Sequence, residues 1–159
     1  MNKLLPIYLP LVATLICFTV YAKEEPALAP INEIFDAMRN HDGDKFLSQF
    51  TETAHLERIT QSNEIKMSDL KNFADFISKS TKHLDEQLFN IKILVSGNLA
   101  SAWTPFAFYV DKKLSHCGVN SFQLVKQQTQ WKIQYLIDNV YTGDCEQFIK
   151  AQKAQIKTN

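Results

Sequence analysis

The hydrophobic period of this sequence changes near its middle, and that change limits the folds open to it. Up to about residue 79 the large apolar side chains recur at helical spacing. Ile31, Ile34, Phe35 and Met38 make one amphipathic stripe, which begins behind Pro30 and is stopped by His41-Asp42-Gly43-Asp44. Asp44 is placed to cap a second, short helix with Phe46, Leu47 and Phe50 pointing inward. Ser68-Asp69 can cap a third helix running to about Lys79, with Leu70, Phe73, Phe76 and Ile77 as its core stripe. Residues 51–60 read as a short strand, with Ala54, Leu56 and Arg58 on one face and His55, Glu57 and Ile59 on the other. From Leu88 the period shortens. Residues 88–95, 99–110, 114–126 and 131–140 are strand candidates, separated by short polar connections such as Gly97-Asn98 and Asp111-Lys112-Lys113. Strands this close in sequence pair most simply as an antiparallel meander. Helices gathered on one face of such a sheet make an α+β domain.

The N-terminus carries a sorting pattern. Met1-Asn2-Lys3 is a short basic start, residues 4–22 hold no charge, and Val20-Tyr21-Ala22 resembles a signal-peptidase site. This is read as a secretory signal peptide, residues 1–22, cut after Ala22. An uncleaved anchor is the rival, since the apolar run is about as long as a bilayer span; Pro6 and Pro10 interrupt it. A lipoprotein would use Cys17, but the bulky Ile16 precedes it. The leading reading makes the protein periplasmic or secreted, with no membrane segment after cleavage. Residues 23–30 are expected to be a flexible lead, 31–145 the domain, and 146–159 a polar C-terminal tail or frayed helix.

The residues left after cleavage suit one domain. With 45% apolar and 11% aromatic residues the chain is too hydrophobic for disorder. A formal net charge of zero lacks the basic field of a nucleic-acid binder. Cys117 and Cys145 remain once the signal is removed. In an exported protein they suit one disulfide, and the alternative is two buried free thiols. No Ser-His-Asp order, phosphate loop or metal-binding helix motif occurs, so neither metal nor cofactor is expected.

Several segments together resemble the NTF2-like superfamily, in its lumazine-binding branch related to the SnoaL-like proteins. They are Phe35-Asp36-Ala37-Met38 with Asp42-Gly43-Asp44, Trp103-Thr104-Pro105-Phe106 with Phe108-Tyr109, Ser115-His116-Cys117-Gly118-Val119, Trp131-Lys132-Ile133 and Cys145. The resemblance spans about residues 31–145. It implies an NTF2-like cone: N-terminal helices packed on a strongly bent antiparallel sheet with an internal pocket. It also implies either small-molecule binding or acid–base enzymes such as isomerases and dehydratases. In that branch a Thr-Arg pair often precedes the last cysteine. Residues 139–144 carry no arginine here, so no anion-holding residue is implied at that place.

Candidate residues follow from strand faces. Trp103, Pro105, Ala107 and Tyr109 share one face; Thr104, Phe106 and Phe108 share the other. Trp103 and Tyr109 could stack on a flat ligand or simply pack. His116 in an apolar pocket could act as acid or base, or be a neutral core histidine. Asn120 would point the same way and could orient a ligand carbonyl. His55, beside Glu57, and Asp138 are further candidate bases. His83 lies in the polar link 80–87, to which no role is assigned. The leading expectation is binding of a small apolar or aromatic molecule without catalysis. The rivals are a SnoaL-like acid–base enzyme and a homodimeric scaffold using its convex sheet face. A binder predicts few titratable groups in its pocket, and an enzyme predicts at least one perturbed acid or base aimed into it.

Overall fold

The computed structural model describes residues 25–156; the expected signal peptide, residues 1–22, lies outside the described residues. Three helices come first: α1 (Ala29–Arg39), α2 (Gly43–Ser48) and, after two strands, α3 (Leu70–Lys79). The strands are β1 (Phe50–Ile59), β2 (Ile65–Ser68), β3 (Leu84–Leu88), β4 (Lys92–Ser96), β5 (Leu99–Val110), β6 (Lys113–Gln127) and β7 (Gln130–Val140), and α4 (Cys145–Ile156) closes the chain.

The helices form where the periodicity places them, except that Phe50 opens β1 and Phe76, expected in the core stripe of α3, is 55% exposed. α1 buries Ile31, Ile34, Phe35 and Met38, each worth roughly 1.5–3 kcal/mol once removed from water. The α2 cap differs from expectation. Asp42, not Asp44, accepts from the Lys45 backbone N–H at 2.8 Å. Gly43 then opens the helix because α3 runs against it: a Cβ there would lie 2.3 Å from the Ala74 carbonyl oxygen. Asp69 caps α3 by accepting from Asn72 N–H at 2.8 Å. The segment read as a flexible lead forms a 3-10 turn at Pro26–Leu28 with Ala27 fully buried. Of residues 146–159, expected to be a tail or frayed helix, those up to Ile156 belong to α4. Ile149 of α4 packs against Phe89, Ala107 and Tyr109. The Cys117–Cys145 disulfide ties α4 to β6.

The expected cone is not formed. The sheet is mixed and open, with order β2-β1-β7-β6-β5-β3 and β4 pairing beside β3 on β5. It ends at β2 on one side and at β3 and β4 on the other, with no pairing that curls it closed. Strands β5, β6 and β7 are the antiparallel meander that their short turns dictate. β1, however, runs parallel to β7. Meander logic binds only strands joined by tight turns; β1 reaches β7 through α3 and five other strands, so nothing local dictates its direction. β2 and β3 were not legible as strands. β2 is largely exposed on both faces and so has no alternation to read. In β3 the inward positions are Leu84, Glu86 and Leu88, and the central carboxylate disguises the alternation.

The core lies between the helical layer and one sheet face. Phe122, Leu124, Ile133, Ile31 and Ile34 are essentially inaccessible, and Phe35 meets Phe122 edge to face. Gly118 on β6 permits the close pass of β7, since a Cβ there would sit 1.9 Å from the Asn139 carbonyl oxygen.

Candidate functional site

Register determines which side chains meet. On the helix-facing side of the sheet Lys66 pairs with Arg58, Arg58 with Asp138, Asp138 with Asn120, and Asn120 with Thr104. This is one cross-strand row of polar side chains in an otherwise apolar face. Two residues along β5 and β6 the pairs are apolar, Phe106 with Gly118. Beyond them Glu86 pairs with Phe108 and Phe108 with His116. A β-bulge leaves Ser115 unpaired beside His116.

Above this face the helices do not fill the space. A cavity of about 760 Å³ remains between them and the sheet. Its helical wall is apolar and aromatic, with Ile34, Phe35, Met38, Phe46, Phe73 and Phe76. The sheet side adds Leu136, Phe108 and Val110, together with Glu86, Asn120, Asp138, Arg58 and His116. The volume falls within the range of small-molecule pockets, which combine an apolar lining with a few convergent polar groups.

Glu86 is the most perturbed of these groups. It is 9% exposed, and its pKa is raised from 4.5 to about 8. Burial is the main cause. The hydrogen bond from Asn120 opposes the rise, Asp138 reinforces it and Arg58 opposes it. Asn120 Nδ2 donates to Glu86 Oε1 at 2.7 Å and lies 3.3 Å from Thr104 Oγ1. Both Asn120 and Thr104 are buried, so this contact holds the carboxyl in one orientation. From behind, Arg39 of α1 binds Asp85 Oδ1 at 3.0 Å and the Glu86 carbonyl oxygen at 3.4 Å, anchoring β3 to the helical layer. The raised pKa favours the protonated, neutral carboxyl at pH 7.

Asp138 has both oxygens engaged by Arg58, through Nε at 2.7 Å and through Nη2. That bond, against the opposing effect of burial, raises the guanidinium pKa further. The pair is a fixed dipole in the cavity wall. His116 lies against Phe106 and Phe108, with ring centroids 5.7 and 5.2 Å away. Burial, and then the Arg58 charge, lower its pKa; Asp138 opposes them. The imidazole is therefore neutral at pH 7. Nδ1 lies 3.1 Å from Ser115 Oγ, whereas the buried Nε2 has no hydrogen-bond partner.

The residues singled out from sequence thus separate. His116, Asn120 and Asp138 come together at the cavity. Trp103 and Tyr109 stand on the opposite sheet face: Trp103 is 52% exposed, and Tyr109 packs in the cluster under α4. His55 is exposed and outside the cavity wall. Glu86, Arg58 and Thr104 were missed as site residues. The only sequence signal for Glu86 was a carboxylate flanked at two-residue spacing by Leu84 and Leu88, in a segment read as a link. Among the described residues no group of three or more His, Cys, Asp or Glu could hold a metal ion. No described helix is long and apolar enough to cross a membrane.

No family model matches the chain, and no curated protein does either. Solved structures do match. An NTF2-like protein of unknown function from Shewanella baltica superposes with a TM-score of 0.57 at 13% identity, over 74% of this chain and 93% of that one. A protein from Novosphingobium aromaticivorans, provisionally named a scytalone dehydratase, gives 0.62 at 13% identity, over 74% and 83%. One from Streptomyces avermitilis, provisionally named a dehydratase of the NTF2-like family, gives 0.61 at 11% identity, over 74% and 95%. The chain therefore has an NTF2-like, cystatin-like fold. At these identities the likeness concerns the fold alone.

Proposed function

We propose that this protein is an acid–base enzyme that moves protons on a small, largely apolar molecule, in the manner of a dehydratase or isomerase. One observation carries the reading: Glu86 is buried in the cavity wall, oriented by Asn120, and raised to a pKa of about 8. A pocket for binding alone needs few titratable groups. This one gathers Glu86, His116 and the Arg58–Asp138 pair. Environments that push two pKa values apart mark acid and base roles. Here burial raises the carboxyl's pKa and lowers the imidazole's, which favours a protonated acid beside an imidazole with a free lone pair.

For a dehydration the roles follow. Neutral His116 takes a proton from the carbon beside a substrate carbonyl. The C–H electrons form the C=C bond, the bond to the β-hydroxyl breaks, and Glu86 gives its proton to that oxygen, which leaves as water. Imidazolium and carboxylate remain, and solvent at the mouth returns the proton from one to the other. A bound substrate would also satisfy the orphaned His116 Nε2. Fixed by Arg58, Asp138 stabilises charge and is not the base. The folds named as dehydratases support this class of chemistry by analogy.

The test uses 5-nitrobenzisoxazole, whose ring opening reports any base in an apolar cavity. Turnover is expected to rise through pH about 8 as Glu86 ionises. Glu86→Gln should remove that limb, and His116→Gln should remove the residual activity at lower pH. Identical profiles for wild type and Glu86→Gln between pH 5 and 9.5 would refute the assignment. The Cys117–Cys145 bridge supports an oxidising, exported location, and mass measurement of protein from that compartment tests cleavage after Ala22.

A further inference from the structure

The cavity's depth and its mouth differ in chemistry. Its depth is apolar and aromatic except for the Glu86 group, whereas its rim is cationic. Lys66 on β2, Lys79 in the last turn of α3 and Lys82 just before β3 all border it and are exposed. Lys79 pairs with Asp75 at 3.0 Å, on the exposed surface of its own helix. Among the described residues Lys66 and Lys82 have no acidic partner. Of the acids that line the cavity, Glu57 is engaged by the Tyr135 hydroxyl at 2.6 Å, Glu86 by Asn120 and Asp138 by Arg58. Arg58, next to Lys66 in register, is already neutralised by Asp138. Two uncommitted ammonium groups therefore stand over an apolar chamber, and the hydroxyl-bearing Ser68 and Thr81 share the rim with them.

We infer that the ligand of this cavity is an organic anion: an apolar ring body carrying a carboxylate, which stays at the mouth between Lys66 and Lys82 while the body enters. An ammonium group is a compact point charge on a flexible stem, suited to meeting a carboxylate at a solvated rim. Burying the carboxylate deeper would strip its water in an apolar chamber whose guanidinium, Arg58, is already paired with Asp138. The rim thus fixes the orientation, charged end outward, and delivers the far end of the body to Glu86. This rests on the proton-transfer reading only for what happens at that far end. It is also independent of residues 139–144, where the family resemblance implied no anion-holding residue.

The experiment compares two fluorescent naphthalenes of similar size. One is anionic, 1-anilinonaphthalene-8-sulfonate; the other is neutral, N-phenyl-1-naphthylamine. Titrations are run at about 20 and about 500 mM salt, where screening differs several-fold. The anionic probe is expected to bind at least about fivefold more weakly at high salt, and the neutral probe to change less than about twofold. The double variant Lys66→Gln/Lys82→Gln should reproduce the high-salt loss at low salt and leave the neutral probe unaffected. Lys71→Gln, an exposed lysine of α3 outside the rim, should alter neither. Equal effects on both probes, the same loss with Lys71→Gln, or binding of neither probe would overturn the inference. The two readings fail separately. If the anionic probe behaves as expected but Glu86→Gln retains full ring-opening activity, only the proton-transfer reading falls. If the activity is lost while the probes are indistinguishable, only the anion falls.

Discussion

Glu86→Gln is expected to make the protein more stable, increasingly so as pH rises. Below pH 4.5 the carboxyl is protonated in both folded and unfolded chains, and its ionisation contributes no pH dependence. Between 4.5 and about 8 the unfolded chain has released the proton while the folded chain keeps it. The folded state then binds more protons, so stability falls as pH rises. Above about 8 both states are ionised and the fall stops. At about 1.4 kcal/mol per tenfold change in proton affinity, the loss is about 3 kcal/mol by pH 7 and about 5 kcal/mol at its end. That is a large part of the roughly 5–15 kcal/mol that holds such a domain together. The amide has nearly the same shape, can still accept from Asn120, and does not ionise. Urea unfolding of both proteins at half-unit steps from pH 4 to 9, disulfide intact, isolates the effect, because every other group cancels in the difference. The variant's advantage should grow steadily to about pH 8 and then level. Parallel curves would mean that Glu86 ionises normally in the fold, and the acid–base argument would lose its premise.

Asp138→Asn should pull the Glu86 midpoint below 8, because it removes a negative neighbour and frees the Arg58 charge; the break in the same stability curve reads this directly. Reducing the Cys117–Cys145 bond, which spans 28 positions, should lower unfolding free energy by about 3–4 kcal/mol, seen as a shift of the urea midpoint with and without reductant. Trp103→Ala should leave binding of the neutral naphthylamine within about twofold, because Trp103 lies on the face away from the cavity; a larger loss would contradict that assignment of faces. Phe122→Ala, at a fully buried position against Phe35, should cost about 3–5 kcal/mol by the same unfolding measurement.

Much of the framework was legible because its causes are local. Helical spacing of Ile31, Ile34, Phe35 and Met38, the cap at Asp69, and the two-residue turn at Gly97-Asn98 each act within a few residues. Face-sharing along a strand is equally local, so the sequence alone groups His116 with Asn120. Which of the two faces looked into the cavity was not local. Trp103 and Tyr109 were grouped correctly with each other and are nonetheless on the outside, because the helices cover the opposite side of the sheet.

The sequence by itself determined the α+β class, the helical stripes and the antiparallel run of the last three strands, since period and turn chemistry suffice for each. Only the tertiary structure decided that β1 lies parallel to β7, that the sheet stays open, that Cys117 meets Cys145, and that Glu86 is buried with a raised pKa. A strand's partner at long separation is chosen by packing against the whole core. A pKa depends on what surrounds the group, and here α1, β3, β6 and β7 must come together before burial, Asn120 and Asp138 can act on one carboxyl.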